Sequence, residues 1–216
     1  MKTRIRKLNI HLCIQLLMLI CAVAIDQISK FIITKVFPEP NPDENIVLIK
    51  GVLEFTYIRN SGASFGIFQD RMFLFYIITI AVLIIIAFFM VRINISLRRY
   101  YKLCEGSPEL YKKRTNRGMI YLGYILCALA AGALGNFIDR VRLGYVVDFI
   151  DVLIFKTPSF DGGFHLESFP IFNVADIFVT VSAVLLLIFI IVFKEDKNFS
   201  LFKNKNKKAE QKTSQQ

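Results

Sequence analysis

Nine polar side chains interrupt or border the apolar stretches of this 216-residue chain: Asp26, Lys30, Asn60, Asn136, Asp139, Arg140, Asp148, Asn173 and Asp176. Ionisable groups within or at the ends of membrane-spanning segments are costly, so each one asks for a reason. Two short patterns repeat. In Asn136-Phe137-Ile138-Asp139 and Asn173-Val174-Ala175-Asp176 an amide and a carboxylate stand three apart, which places them on one helix face. The amide can then orient the carboxylate and steady its charged form. Two carboxylates brought close together cannot both ionise cheaply, so such a pair holds a proton at working pH. One member can then take a proton from water while the other donates toward a carbonyl oxygen. That is hydrolysis without a metal.

Each residue also has a purely structural reading. Asp26 and Lys30 are spaced as a helical i,i+4 ion pair, and Asp139 beside Arg140 can be a neutralised anchor at a helix end. Asn173 can cap a helix after Pro170, with Asp176 favoured in its first turn by the dipole. Gly132, Ala133 and Gly135 can serve only close helix packing. Other chemistries are poorly supplied. Ser29 and Lys30 are adjacent, so on a helix their side chains diverge by about 100°. Cys13, Cys21, Cys104 and Cys127 have no metal-knuckle or disulfide spacing, and His11 and His165 lie far apart. No cofactor and no metal is expected.

The elements that must position these groups are written in the hydropathy. A hydrophobic fraction of 55% exceeds that of an ordinary soluble domain. Four runs reach the length of about 20 apolar residues that spans a bilayer as helix: about 8–33, 72–91, 118–138 and 172–193. The first starts like a secretory signal and contains Ala22-Val23-Ala24, a small-x-small site. It outruns the usual signal core of about 7–15 residues, however, and reads as an uncleaved helix. Pro38, Pro40 and Pro42 close it. Val52, Phe55, Tyr57 and Ile58 between Gly51 and Gly62 then predict a strand or hairpin. The fold expected is an all-α membrane protein of four transmembrane helices with a small β-cradle outside the cytoplasm, one domain over 1–193.

The formal charge of +10 is gathered at the amino terminus, in Arg92 to Arg117 and in 194–216. Such flanks mark the cytoplasmic side, not a groove that tracks phosphates, so no nucleic-acid partner is expected. Both termini are then cytoplasmic, 194–216 is a basic disordered tail, and all nine polar residues gather at the opposite interface. A proton-coupled carrier would instead place its carboxylates near the bilayer midplane.

Five segments carry a resemblance. Asp26-Gln27-Ile28-Ser29-Lys30, Asn60-Ser61-Gly62-Ala63-Ser64-Phe65, Gly132 through Arg140, Val146-Val147-Asp148-Phe149 and Phe169 through Asp176 resemble, in order, the motifs of the signal peptidase II family. The resemblance implies a bacterial inner-membrane aspartic endopeptidase that cuts diacylglyceryl-modified prolipoproteins before the lipidated cysteine. It implies Asp148 and Asp176 as the catalytic pair, with Asp139 as supporting structure. Asn60, Gly62, Asn136, Arg140, Asn173, Asp26 and Lys30 become the surrounding substrate-binding or supporting residues. The partners expected are the lipidated substrate, reaching the site laterally, and membrane lipid, with the chain acting as a monomer. Phe65, Phe68 and Phe149 are candidate walls. The linker Leu97 to Arg117 and a loop Phe155 to Phe169 look longer than a minimal member needs.

Overall fold

A computed structural model describes residues 2–62, 72–105, 117–158 and 164–193. In chain order these form α1 (Lys2–Val36), β1 (Asn45–Ile49), β2 (Leu53–Asn60), α2 (Met72–Glu105), α3 (Arg117–Leu143), β3 (Val146–Pro158), β4 (Phe164–Ser168) and α4 (Val174–Phe193). All four helices are long and apolar enough to cross a membrane. The expected four-helix membrane architecture with a small sheet is therefore present.

The helix bounds differ from the sequence reading in an informative way. α1 runs to Val36 rather than 33 and continues unbroken through Ala22–Ala24. α2 continues to Glu105, well past Val91. Charge ends a span but does not end a helix. Arg92 through Lys102 contains no Gly or Pro, and Arg and Lys are good helix formers. Ile93 and Leu97 are also buried in the core with Leu8 of α1. α3 extends five residues past 138, and α4 begins at Val174, not 172. The expected loop Phe155 to Phe169 is largely the β3–β4 hairpin. The 194–216 tail, Phe65 and Phe68 lie outside the described residues.

α3 is the central helix, with 56% of its apolar stretch buried against 6–17% for the other three. Its small residues permit this. A methyl group at Gly132 would stand 2.5 Å from the Ala175 carbonyl oxygen and 3.0 Å from the Val179 nitrogen, so α3 and α4 touch backbone to backbone. The outer faces of α1, α2 and α4 expose Leu17, Ile20, Ile84, Phe88, Leu187 and Ile191, as helices solvated by lipid should.

At one end of the bundle the sheet runs β1-β2-β3-β4, each neighbour antiparallel. Gly144, at φ 82°, ends α3 and donates to the Arg140 carbonyl, the usual left-handed stop. β3 starts two residues later. β2 carries a bulge: Phe55 pairs with Ile150, but Ile58 pairs with Asp148. The extra residue resets the alternation of faces, and consecutive Thr56 and Tyr57 are both buried.

Gly132→Val should lower the stability of the purified protein by about 1–3 kcal/mol, the usual cost of overpacking. Thermal unfolding in detergent measures it. An unchanged melting temperature would mean that α3 and α4 are free to separate.

Candidate active site

The polar layer is built from the ends of three helices and the middle of the sheet. α1 contributes Asp26, Gln27 and Lys30, the last with a side chain 1% exposed. An ammonium has three N–H donors and no acceptor. Three oxygens meet it: Asp26 Oδ2 at 2.9 Å, Asp139 Oδ2 at 3.0 Å and Asn136 Oδ1 at 2.9 Å. A buried ion pair is tolerated when its remaining lone pairs are also matched. Here they are. Asp26 Oδ1 accepts the Ala175 N–H at 2.8 Å, and Asp139 accepts from Val147 N at 3.2 Å and from Gln27 Nε2 at 2.9 Å. Gly135 leaves the space, since a methyl there would meet Asp26 Oδ2 at 2.6 Å. The i,i+4 reading of Asp26 and Lys30 is thus realised, but Asp139 pairs with Lys30 and not with Arg140. Adjacent helical residues point in different directions.

The start of α4 is a capping box. Asn173 Oδ1 accepts the Asp176 N–H at 3.0 Å, and Asp176 Oδ2 accepts the Asn173 N–H at 3.1 Å. This reciprocal pair satisfies two donors that a helix start otherwise leaves free. Asn173 also donates through Nδ2 to Asp148 Oδ1 at 2.6 Å, Asn136 Oδ1 at 3.0 Å and the Val147 carbonyl at 3.3 Å. One residue therefore touches both Asp148 and Asp176. Its place is fixed from β3: Phe149 N and Ile150 N donate to the Phe172 carbonyl, and Phe172 N donates back to Ile150.

Each oxygen of the two aspartates accepts an N–H. Asp176 Oδ1 takes Asn136 Nδ2 at 2.7 Å, and Asp148 Oδ2 takes Asn60 Nδ2 at 2.8 Å. The β2 bulge makes the second possible. Asp148 pairs with Ile58, and Ile58 and Asn60, two apart, share its face. Gly62 N donates to Asn60 Oδ1 at 3.1 Å and fixes the amide. Asp148 is 2% exposed, and its carboxyl is pushed up to about 7. Burial is the largest cause. The Asn60 hydrogen bond opposes it, the charge on Asp176 adds to it, and Asn173 and Lys30 oppose it.

Both aspartates open onto one cavity of about 610 Å³. Its polar wall is Asn60, Asn136, Arg140, Asp148 and Asp176. Its apolar wall includes Phe75, Val146, Phe169, Phe172, Ile177 and Val181, with Thr180 one turn beyond Asp176. Arg140 is half-buried over the Phe75 ring, 4.7 Å from its centroid. Of the expected residues, Asn60, Gly62, Asn136, Arg140, Asp148 and Asp176 line the cavity, with Asn173 holding both aspartates. Asp26, Lys30 and Asp139 form the layer beneath. Phe149 is not a wall. It follows Asp148 on a strand, faces the other way, and packs under the sheet against Phe55. The sequence reading gave no role to Gln27, although it bridges Asp26, Asp139 and the Gly135 carbonyl. Its place beside Asp26 was the available signal. Phe75, Ile177, Thr180 and Val181 were also missed, because apolar spans give no sign of which face borders a cavity.

Residues 18–192 match the family described as signal peptidase (SPase) II. Among similar proteins, a lipoprotein signal peptidase from Clostridium tetani is 31% identical over 185 residues, covering 84% of this chain and 94% of the relative. Another, from Caldanaerobacter subterraneus subsp. tengcongensis, is 35% identical over 172 residues, covering 80% and 91%. A solved bacterial membrane enzyme matches with a TM-score of 0.60 at 32% identity, covering 88% of this chain and 94% of that one. A second gives a TM-score of 0.56 at 33% identity, with 81% and 90% covered.

Lys30→Met should cost about 3–5 kcal/mol, because it leaves Asp26 and Asp139 buried without their cation. Asp139→Asn should also lower melting temperature and yield. A folded, inactive Asp139→Asn protein of normal thermal stability would move Asp139 from support to chemistry.

Proposed function

We propose that this chain, which belongs to the signal peptidase II family, is an aspartic endopeptidase that removes signal peptides from diacylglyceryl-modified prolipoproteins, cutting before the lipidated cysteine. The observation that carries the reading is Asn173, which holds Asp148 and Asp176 within one cavity. A dyad that shares one proton can do both halves of peptide hydrolysis. The ionised member removes a proton from water as the oxygen attacks the scissile carbonyl. The neutral member protonates the carbonyl oxygen. The carboxyl of Asp148, pushed up to about 7, is suited to holding that proton near neutral pH.

The same reading gives the other residues their parts. Asn60, Gly62, Asn136 and Asn173 orient the dyad, Arg140 borders the bound peptide, and Asp26, Lys30 and Asp139 support the layer. The chain is a single peptidase domain over 1–193 in the bacterial cytoplasmic membrane, and the distribution of its Lys and Arg sets its orientation. Both termini are then cytoplasmic and the site lies at the outer face. The substrate is a prolipoprotein anchored by its lipid, entering sideways from the membrane, and the enzyme works as a monomer. The apolar wall of Phe75, Ile177 and Val181 beside the polar wall suits a ligand that is part lipid-embedded and part peptide.

Purified protein should cleave a diacylglyceryl-modified prolipoprotein in a gel-shift assay. Asp148→Asn and Asp176→Asn should each abolish cleavage while the protein stays folded in the membrane. Substantial turnover by either variant removes that residue from the dyad. Chelators should leave the rate unchanged, and a metal-dependent loss points to another mechanism. Activity should also fall as pH rises through about 7, where Asp148 gives up its proton. A rate still climbing well above that range contradicts the shared proton.

A further inference from the structure

Resting on the peptidase reading, we infer that the dyad is polarised: Asp176 is the base that activates water, Asp148 is the acid that serves the carbonyl oxygen, and Lys30 is the positioning residue that sets this polarity through Asn136. The side-chain amide of Asn136 has only one allowed orientation. An Asn side chain can be turned over with little change in shape, exchanging oxygen for NH₂. At Asn136 the ammonium of Lys30 stands 2.9 Å from Oδ1. Turning the amide would set NH₂ against NH₃⁺, and Asn173 Nδ2, 3.0 Å away, would face a donor as well. Nδ2 is therefore aimed at Asp176 Oδ1, 2.7 Å away. Its donor strength is raised by the positive charge behind it.

The two carboxyl groups differ in what surrounds them. Asp176 is the N3 residue of α4, accepts a backbone N–H from the helix start, and lies at the positive end of the helix dipole. It also takes the amide that Lys30 orients. Asp148 sits on a strand and, among the described residues, accepts only the side-chain amides of Asn60 and Asn173. Among the described residues, the other charged groups facing the dyad are Arg140 at the cavity wall and the Asp26–Lys30–Asp139 cluster below it. The cluster's cation is directed through Asn136 to Asp176. These asymmetries favour the negative charge on Asp176 and the proton on Asp148.

The steps balance. Water gives one proton to Asp176 as its oxygen bonds to the carbonyl carbon, and Asp148 gives its proton to the carbonyl oxygen. As the C–N bond breaks, a hydroxyl of the tetrahedral intermediate returns a proton to Asp148, and Asp176 protonates the departing amine of the cysteine. Asp176 is again ionised and Asp148 again neutral.

The test is the pH dependence of kcat/KM for a diacylglyceryl-modified prolipoprotein, measured on the full chain in lipid nanodiscs. The acid limb reports the group that must be ionised, and the alkaline limb the group that must keep its proton. Asn60→Ala removes a donor to Asp148 and should shift the alkaline limb to higher pH by about one unit, with the acid limb fixed. Asn136→Ala should shift the acid limb to higher pH and leave the alkaline limb. Lys30→Gln combined with Asp139→Asn keeps the cluster's net charge and should shift the acid limb in the same direction. The opposite assignment of limbs, equal movement of both, or no movement overturns the inference. If the Asn136 or Lys30 variants do not fold, Asn60→Ala decides, since among the described residues the Asn60 side chain bonds only to Asp148 and Gly62 N. A wild-type protein that leaves the prolipoprotein uncut, or an Asp148→Asn protein that cuts it, rejects the peptidase reading itself. Reversed limbs on an active enzyme reject only the polarity.

Discussion

The whole polar layer depends on one constraint: a buried ammonium must find three acceptors. Lys30 finds them on α1 itself and twice on α3. Each acceptor is committed elsewhere by its second contact. Asp26 reaches the first turn of α4, Asp139 reaches the start of β3, and Asn136 reaches Asp176. Satisfying one cation in a low-dielectric interior therefore docks three helices and a strand at fixed offsets. A partly satisfied network of this kind would be worse than an apolar core. Its completeness is what makes it a scaffold.

The small residues of α3 are the other half of that constraint. Polar side chains as short as Asp and Asn bridge helices only where backbones nearly touch, and Gly132 and Gly135 allow this approach. The packing and the electrostatics are thus one feature. Gly135 opens the space that the Asp26 carboxylate fills, and Asp26 caps the helix that packs on Gly132. Lipid offers no hydrophobic drive between helices, so this joint contact helps explain why they associate.

Much of this was legible in the chain. Four uninterrupted apolar runs announce the helices because a bilayer allows few other spanning structures. The Asn-x-x-Asp spacing announced two amide–carboxylate faces, and the second proved to be a capping box at Asn173 and Asp176. The ends of α2 were not legible, since hydropathy marks the limit of the membrane and not of the hydrogen-bond ladder. Which partner Asp139 chooses was not legible either. Its neighbour Arg140 and the distant Lys30 are equal candidates in sequence, and only the helix phase separates them. The task of Gln27 was hidden for the same reason: its acceptors on α3 lie more than a hundred positions away.

The bulge in β2 carries a consequence larger than its single residue. Had the pairing of Phe55 with Ile150 continued in simple steps, Tyr57 would stand opposite Asp148. Arg59, not Asn60, would then share that face. A guanidinium keeps its charge at any physiological pH, and beside Asp148 it would hold the carboxylate ionised. Closing that bulge by a slip of register, with no residue lost, would leave every side chain in the chain, yet replace a neutral neighbour with a permanent cation. The ability of this strand to bear a mobile proton is thus a matter of parity, counted along the backbone rather than contained in any one functional group.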